Sequence, residues 1–318
     1  MKIGVIGCGR WGTCIAWYLD KIGNEVTLYG RSSSENMKNL MEKRQNLHMT
    51  LPDSLMLSTN IDDALAGEIV IISISSQSLS ELCKTLSEKN VKDKIFVLCM
   101  KGIEISTCRR LSEIVSQGVD KSNKVAVWLG PGHVEEFYRG IPNCMVIDSR
   151  DDETKRFLVE TFSSELIRFY YGTDLIGNEI GAAAKNVIGI AAGMLDAMKL
   201  STLKGALMSR GTREIARLIK QAGGNELSAY GLCHLGDYEA TVFSPYSNNR
   251  RFGESFVKGE ECNYLAEGYY TVKALVEMAE KYKVDLPICN AVYNILYNNA
   301  TPKEELNKLF TRTLKIEF

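Results

Sequence analysis

Along the first half of the chain, short runs that are apolar at nearly every position alternate with longer stretches of helical period. The runs are KIGVIGC (2–8), EVTLYG (25–30), EIVIISIS (68–75), KIFVLCMKG (94–102), KVAVWLGPG (124–132) and CMVIDS (144–149). WGTCIAWYLDKIG (11–23) is the first of the amphipathic stretches between them. Strands that are apolar on both faces are covered on both faces, so the pattern predicts a doubly wound α/β domain with a mostly parallel sheet. After about Tyr171 the strand signal stops. Long helices are predicted from about Ile176 to Met198, from Lys204 to Ala222, and within NYLAEGYYTVKALVEMAEKY (263–282). The reading is therefore two domains, residues 1–174 built on the sheet and residues 175–318 all-α, with no Gly/Ser linker and no fixed-period repeat between them.

Composition narrows the function classes. The 318 residues are 45% hydrophobic and 24% charged, and the formal net charge is −1 with both signs scattered. That excludes a nucleic-acid footprint or a polybasic membrane patch. The opening MKIGVIGCGRWG has no secretory h-region, and no unbroken apolar run approaches the ~18 residues of a spanning helix. Nine cysteines without a C-x-x-C pair fit reduced thiols, so a cytoplasmic protein without an integral membrane segment is expected. The three histidines, His48, His133 and His234, show no metal-ligand spacing, and no metal is expected.

Gly7, Gly9 and Gly12 form G-x-G-x-x-G between the first strand and the first helix. In that context the first glycine permits a tight turn, the second a close backbone approach to a pyrophosphate, and the third close helix–strand packing. The helix N-terminus adds unpaired N–H groups and a positive dipole end. At the end of the second strand, where an NAD site usually has an acid for the ribose 2′-hydroxyl, the sequence is YGRSSSE. Arg31 there either binds a 2′-phosphate, which favours NADP(H) slightly over NAD(H), or is a solvated strand-end charge.

Lys101 ends a predicted strand in CMKGI, at the sheet edge where ligands bind or where a lysine is simply solvated. LGPGH (129–133) ends the next, and its Gly130 and Gly132 suit either a ligand approach or a plain turn. Lys185 lies inside AAAKNVIGIAAG (182–193). On a helix it shares a face with Asn178, Gly181, Gly189 and Ala192, small residues that permit close packing or a ligand approach. Positions three and four away are not acidic, so its ammonium must reach solvent or meet a polar or anionic group from elsewhere. A desolvated lysine exchanges a proton near neutral pH. Finally, HLGDYEATVFSPYSNNRRFGESF (234–256) gathers Asp237, Ser247, Asn248, Asn249, Arg250 and Arg251 as an anion site, or as a loop with a helix N-cap.

In order along nearly the whole chain, GCGRWGT, CMKGI, LGPGHVEE, TDLIGNEIGAAAKNVIGIAAG, HLGD, SNNRRFG, AEGYYTVKAL and VDLPICNAVYNIL resemble the bacterial NAD(P)-dependent glycerol-3-phosphate dehydrogenases. The resemblance implies a Rossmann-type domain, an all-helical substrate domain, and interconversion of dihydroxyacetone phosphate with sn-glycerol 3-phosphate for glycerophospholipid synthesis. It implies a cofactor site lined by Arg10, Trp11, Arg31, Val134, Arg250, Leu265 and Glu267, with Lys101 touching both cofactor and substrate. Gly130, Gly132, Lys185, Asp237, Ser247, Asn248, Asn249 and Arg250 would form the substrate side, with Lys185 the acid or base, Lys101 and Asp237 catalytic beside it, and Asp237 either orienting the lysine or hydrogen-bonding a substrate hydroxyl. A homodimer is a candidate assembly. Three departures stand out: Ser247-Asn248-Asn249 replaces the usual S-R-N, Gly132-His133 replaces a small hydroxyl residue and an aromatic, and Arg10 replaces Ser or Asn. The missing arginine keeps two rivals open, a reductase of another small hydroxy or keto compound and a non-catalytic NAD(P)-binding sensor.

Overall fold

The computed structural model describes residues 1–262, 264, 266–314 and 316. By contacts the chain divides into two units, Met1–Lys101 with Arg109–Glu179, and Gly102–Cys108 with Ile180–Phe318.

In the first unit eight strands make one sheet: β1 (Lys2–Ile6), β2 (Glu25–Tyr29), β3 (Met56–Ser58), β4 (Ile69–Ile72), β5 (Ile95–Leu98), β6 (Lys124–Leu129), β7 (Asn143–Ser149) and β8 (Ile167–Tyr171). Their order is β3-β2-β1-β4-β5-β6-β7-β8. All neighbours are parallel except β6 and β7, which run antiparallel with Trp128 opposite Ile147. Gly4 of β1 pairs with Thr27 on one side and Val70 on the other, so the strand order reverses at β1. In such sheets the crevice at that reversal takes the ligand. β4 is buried at every position, the signature of a strand covered on both faces. The helices are α1 (Arg10–Lys21), α2 (Glu35–Lys43), α3 (Ile61–Leu65), α4 (Leu79–Glu88), α5 (Leu111–Gly118), α6 (Val134–Tyr138) and α7 (Asp152–Phe162). Trp128 anchors the core, with the rings of Tyr18 and Phe169 edge-on at 5.9 and 4.8 Å.

The next helix, α8 (Leu175–Ala197), begins in the first unit and continues in the second. By length and composition it could cross a membrane, which corrects the expectation that no stretch is long enough; 89% of its apolar window is buried inside the protein. An average over a helix tolerates Glu179, Lys185 and the glycines that break an uninterrupted run. The second unit adds α9 (Lys204–Gln221), α10 (Asn248–Lys258), α11 (Glu267–Tyr282), α12 (Pro287–Tyr297) and α13 (Pro302–Phe310). α8 and α10 cross backbone to backbone: a Cβ on Gly193 would stand 1.8 Å from Arg250 O, and one on Gly253 2.0 Å from Ile190 O.

Five elements lie outside the sequence expectation. β3 has only three residues, β8 alternates buried and exposed at its start, α10 follows Ser247, and α12 and α13 start at Pro287 and Pro302, signals that also mark loops.

α12 has no side-chain cap of its own, and Pro287 at its first position has no N–H. The next two N–H groups, of Ile288 and Cys289, donate instead to the carboxylate of Glu214 on α9 at 2.9 and 3.0 Å. Burial pushes the Glu214 carboxyl from 4.5 up to about 7, against the lowering effect of those donors. A folded-state pKa above the unfolded value stabilises fully below about 4.5, and that contribution is lost as pH rises through about 7. Thermal unfolding from pH 5 to 8 will therefore show the wild type losing stability relative to Glu214→Gln; parallel curves would mean that Glu214 does not titrate in this window.

Candidate active site

The three turn glycines separate by what the protein itself demands of them. Gly7 leaves β1 at φ +114°, and a Cβ there would lie 2.1 Å from Ser73 O. A Cβ on Gly12 would lie 2.0 Å from Gly7 O. Gly9 caps α1 with no side-chain cap bond and no acid in the following turn, and a Cβ on it would meet nothing within 4 Å. Internal packing thus explains Gly7 and Gly12 but not Gly9, whose bare backbone suits a pyrophosphate at the α1 N-terminus. Around this turn Arg10 donates to Glu135, which His48 also meets at 2.9 Å. The Trp11 ring lies 6.0 Å from that of Phe137, and Val134 is buried at the start of α6. Arg31 is exposed past the end of β2.

Lys101, just past β5, donates from Nζ to Gly130 O at 2.6 Å and so ties down the turn that follows β6. Gly130 and Gly132 have φ of +127° and +149°, and a Cβ on Gly132 would strike the Phe137 ring at 2.3 Å. An aromatic partner, as well as backbone geometry, accounts for the second glycine.

In the second unit Lys185 is 8% exposed and Asp237 1%. Lys185 Nζ lies 2.9 Å from Asp237 Oδ2 and donates to Thr241 Oγ1 at 2.8 Å, while the Thr241 hydroxyl donates to Asp237 O at 2.7 Å. The partner that the helix could not supply comes from the 3₁₀ turn 235–237 and the π-helical turn 239–243. The small stripe on α8 admits these turns: a Cβ on Gly181 would come within 3.0 Å of His234 Cβ, and one on Gly189 within 2.7 Å of Thr241 Cγ2. Of the two uses open to that stripe, close packing takes those two glycines.

Beneath the pair lies an uncharged network that the sequence did not disclose. His234 is fully buried, and its Nδ1 meets Gly181 O at 2.8 Å. A carbonyl only accepts, so Nδ1 carries the proton and Nε2 accepts from the Tyr238 hydroxyl at 2.8 Å. Burial pushes His234 down to about 4, and burial likewise raises Tyr238 well above its ordinary value, so both remain neutral. His234 and Tyr238, like Asp237 and Thr241, are four residues apart. That spacing is the one signal that could have linked them.

Ser247 caps α10 by accepting from the Arg250 N–H at 3.3 Å, so the loop-with-N-cap alternative describes this stretch locally. Asn249 joins three helices: its Nδ2 donates to Asn186 Oδ1 at 3.1 Å and its Oδ1 accepts from the Gly268 N–H at 2.9 Å. Arg250 is bound to Asp196 and, at 3.1 Å, to Ser244 O; Lys204 Nζ reaches the same Asp196 at 2.7 Å. Asn248 is half-buried at the first position of α10. Arg251 is exposed, its guanidinium 4.7 Å over the Tyr264 ring. Glu267 opens α11, and Leu265 lies outside the described residues. Among the described residues no group of His, Cys, Asp and Glu is placed to hold a metal ion.

A mostly parallel sheet reversing at a glycine-rich turn, together with a buried lysine–aspartate pair in a helical unit, defines a pyridine-nucleotide-dependent oxidoreductase. Residues 2–155 match the N-terminal part, and residues 174–307 the C-terminal part, of NAD-dependent glycerol-3-phosphate dehydrogenase. This chain belongs to that family. Similar proteins include the glycerol-3-phosphate dehydrogenase (NAD(P)+) of a Thermoanaerobacter species, 34% identical over 100% of this chain and 99% of its own length. That of Fusobacterium nucleatum is 33% identical over 100% and 98%. The crystal structure of glycerol-3-phosphate dehydrogenase from Coxiella burnetii superposes with a TM-score of 0.91 at 26% identity, covering 98% of this chain and 99% of that one.

Replacing His234 by Ala leaves Gly181 O and the Tyr238 hydroxyl buried without the ring, a loss of about 3 kcal/mol in stability; Tyr238→Phe removes the bond to the ring and a longer one from the Thr212 hydroxyl at 3.5 Å and costs about 1 kcal/mol. Chemical denaturation measures both. Equal losses would show that the imidazole is not the anchor of this turn.

Proposed function

We propose that the chain interconverts sn-glycerol 3-phosphate and dihydroxyacetone phosphate by hydride transfer with NAD(P)(H), residues 1–174 holding the dinucleotide and 175–318 the substrate. The observation that carries this is the buried Lys185–Asp237–Thr241 cluster, in a member of a glycerol-3-phosphate dehydrogenase family. The bound nicotinamide supplies or accepts the hydride. Everything else is work for this chain's own residues.

Reduction at C2 leaves an alkoxide that needs a proton, and the Lys185 ammonium polarises the carbonyl and then donates. In the other direction neutral Lys185 takes the hydroxyl proton. Asp237 and Thr241 fix Nζ at 2.9 and 2.8 Å, so the proton donor stands in one place. Lys101, with the Gly130–Gly132 turn it ties down, would touch both cofactor and substrate. Gly7, Gly9 and Gly12 would hold the pyrophosphate, with Arg10, Trp11 and Val134 around it.

The substrate phosphate is the point of departure, because Asn248 stands where the family pattern has an arginine. Arg250 is committed to Asp196 and Ser244 O, which leaves Arg251, exposed over Tyr264, as the guanidinium for the phosphate. Ser247, Asn248 and Asn249 then offer polar groups at the α10 N-terminus. The glycerol phosphate so formed is the backbone of glycerophospholipids, and a cytoplasmic homodimer fits this role.

Lys185→Ala will lower kcat by about 10³-fold with dihydroxyacetone phosphate while NADPH binding, followed by nicotinamide fluorescence, changes little. An unchanged rate would restore the sensor reading, and equal turnover of unphosphorylated dihydroxyacetone by the wild type would move the substrate elsewhere. Arg31→Ala will raise KM for NADPH about tenfold and leave NADH unaffected; loss of neither would make Arg31 a solvated charge.

A further inference from the structure

A cavity of the second unit shares no residue with the Lys185 cluster. It is an open groove of about 930 Å³, floored by Met194 and Leu195 of α8, Ile288, Val292 and Ile295 of α12, and Leu306 of α13. That volume falls in the ~300–1,000 Å³ range of small-molecule sites. One wall is α9, where Arg210, Arg213, Arg217 and Lys220 follow one another at i, i+3, i+7 and i+10 and so occupy one face.

Charge on this groove departs from that of the chain. Six of its lining side chains are cationic, the four on α9 with Lys283 and Arg312, against the three acids Glu214, Asp285 and Glu305, although the whole chain carries −1. Glu214 is turned inward to cap α12 with the Arg217 charge acting on it, Arg217 donates to Asp285 O at 2.8 Å, and Arg312 pairs with the Asp285 carboxylate, so the acids of the lining are used up while the cations still outnumber them. Arg213 and Lys220 share one acid, Glu226, at 3.9 and 2.9 Å. At the same groove the C-terminal segment presents Leu314 and Ile316, 96% and 91% exposed. Apolar surface left uncovered beside a row of cations calls for a ligand that is apolar along its length and anionic at one end.

We propose that this groove binds a free long-chain fatty acid, its alkyl chain on the apolar floor and its carboxylate on the arginine face of α9. A neutral apolar ligand would make no use of the cations, and a flat bilayer does not enter a concave site. The site is independent of the dehydrogenase reading, and its test needs no turnover.

Calorimetric titration of the full chain with hexadecanoate below its micelle concentration will give one site per chain. Hexadecan-1-ol will bind about tenfold more weakly, and hexadecyltrimethylammonium not at all. The double variant Arg213→Gln/Arg217→Gln will weaken hexadecanoate about tenfold at unchanged Tm, and Ala291→Trp, which fills the floor, will abolish binding. No saturable binding, equal binding of all three amphiphiles, or binding indifferent to the double variant overturns the proposal. So does retention on anionic vesicles without affinity for free hexadecanoate. If light scattering shows that Ala291→Trp halves the particle mass, a second copy of the chain fills the groove and the proposal fails.

Discussion

A charge cannot be buried alone, and α8 buries two of them, Glu179 and Lys185, at 5% and 8% exposure. Each is met within its own unit. Glu179 takes Arg110 Nη1 at 2.7 Å and the N–H and hydroxyl of Ser112 at 2.8 and 2.6 Å; Lys185 takes Asp237 and Thr241. These partners dictate what may lie beside the helix: the start of α5 in one unit, a 3₁₀ turn and a π turn in the other. The glycines of α8 follow from that demand, since Gly181 and Gly189 are the places where His234 and Thr241 come too close for a side chain. Well-packed apolar residues could replace a buried ion pair with no loss of stability. Stability alone therefore gives no reason for Lys185 and Asp237, whereas the proton transfer proposed for them does.

The neutral layer beneath them serves the same end. With His234 pushed down to about 4 by burial, the imidazole adds no charge beside Lys185 and Asp237 near neutral pH. A hydrogen-bonded but uncharged pair, His234 and Tyr238, can fix the backbone of the turn without adding a field that would compete for the lysine's proton. The contrast is with the glycine turn, where Arg10, Glu135 and His48 form a charged cluster and the expected ligand is itself an anion.

What the sequence disclosed, and what it hid, follows from how each feature is encoded. Central strands such as β4 were legible because burial on both faces leaves an unbroken apolar word. β3 is too short to have a period, and β8 (IRFYY) exposes Arg168 and two tyrosines. α10 was hidden by its polarity, NNRRFGESFVK, because it touches α8 through glycine backbone rather than through an apolar stripe. At the site, the glycine spacing was legible because phosphate turns have fixed geometry, and Lys185 because a lone cation in a small apolar helix is anomalous. Its partners were not. A sequence shows that a charge exists but not which charge it faces, so Asp196 went unremarked beside Arg250, and Thr241 beside Asp237.

The glycines supply the sharpest separation of fold from function. Gly7, Gly12, Gly193 and Gly253 are each demanded by a backbone oxygen about 2 Å from where a Cβ would stand. Any protein that folds this way needs them, whatever it does. Gly9 is demanded by nothing within 4 Å, yet it sits at the one N-terminus in the unit that follows the strand where the sheet order reverses. A side chain there would cost the fold little and would stand in the way of the pyrophosphate proposed for this turn.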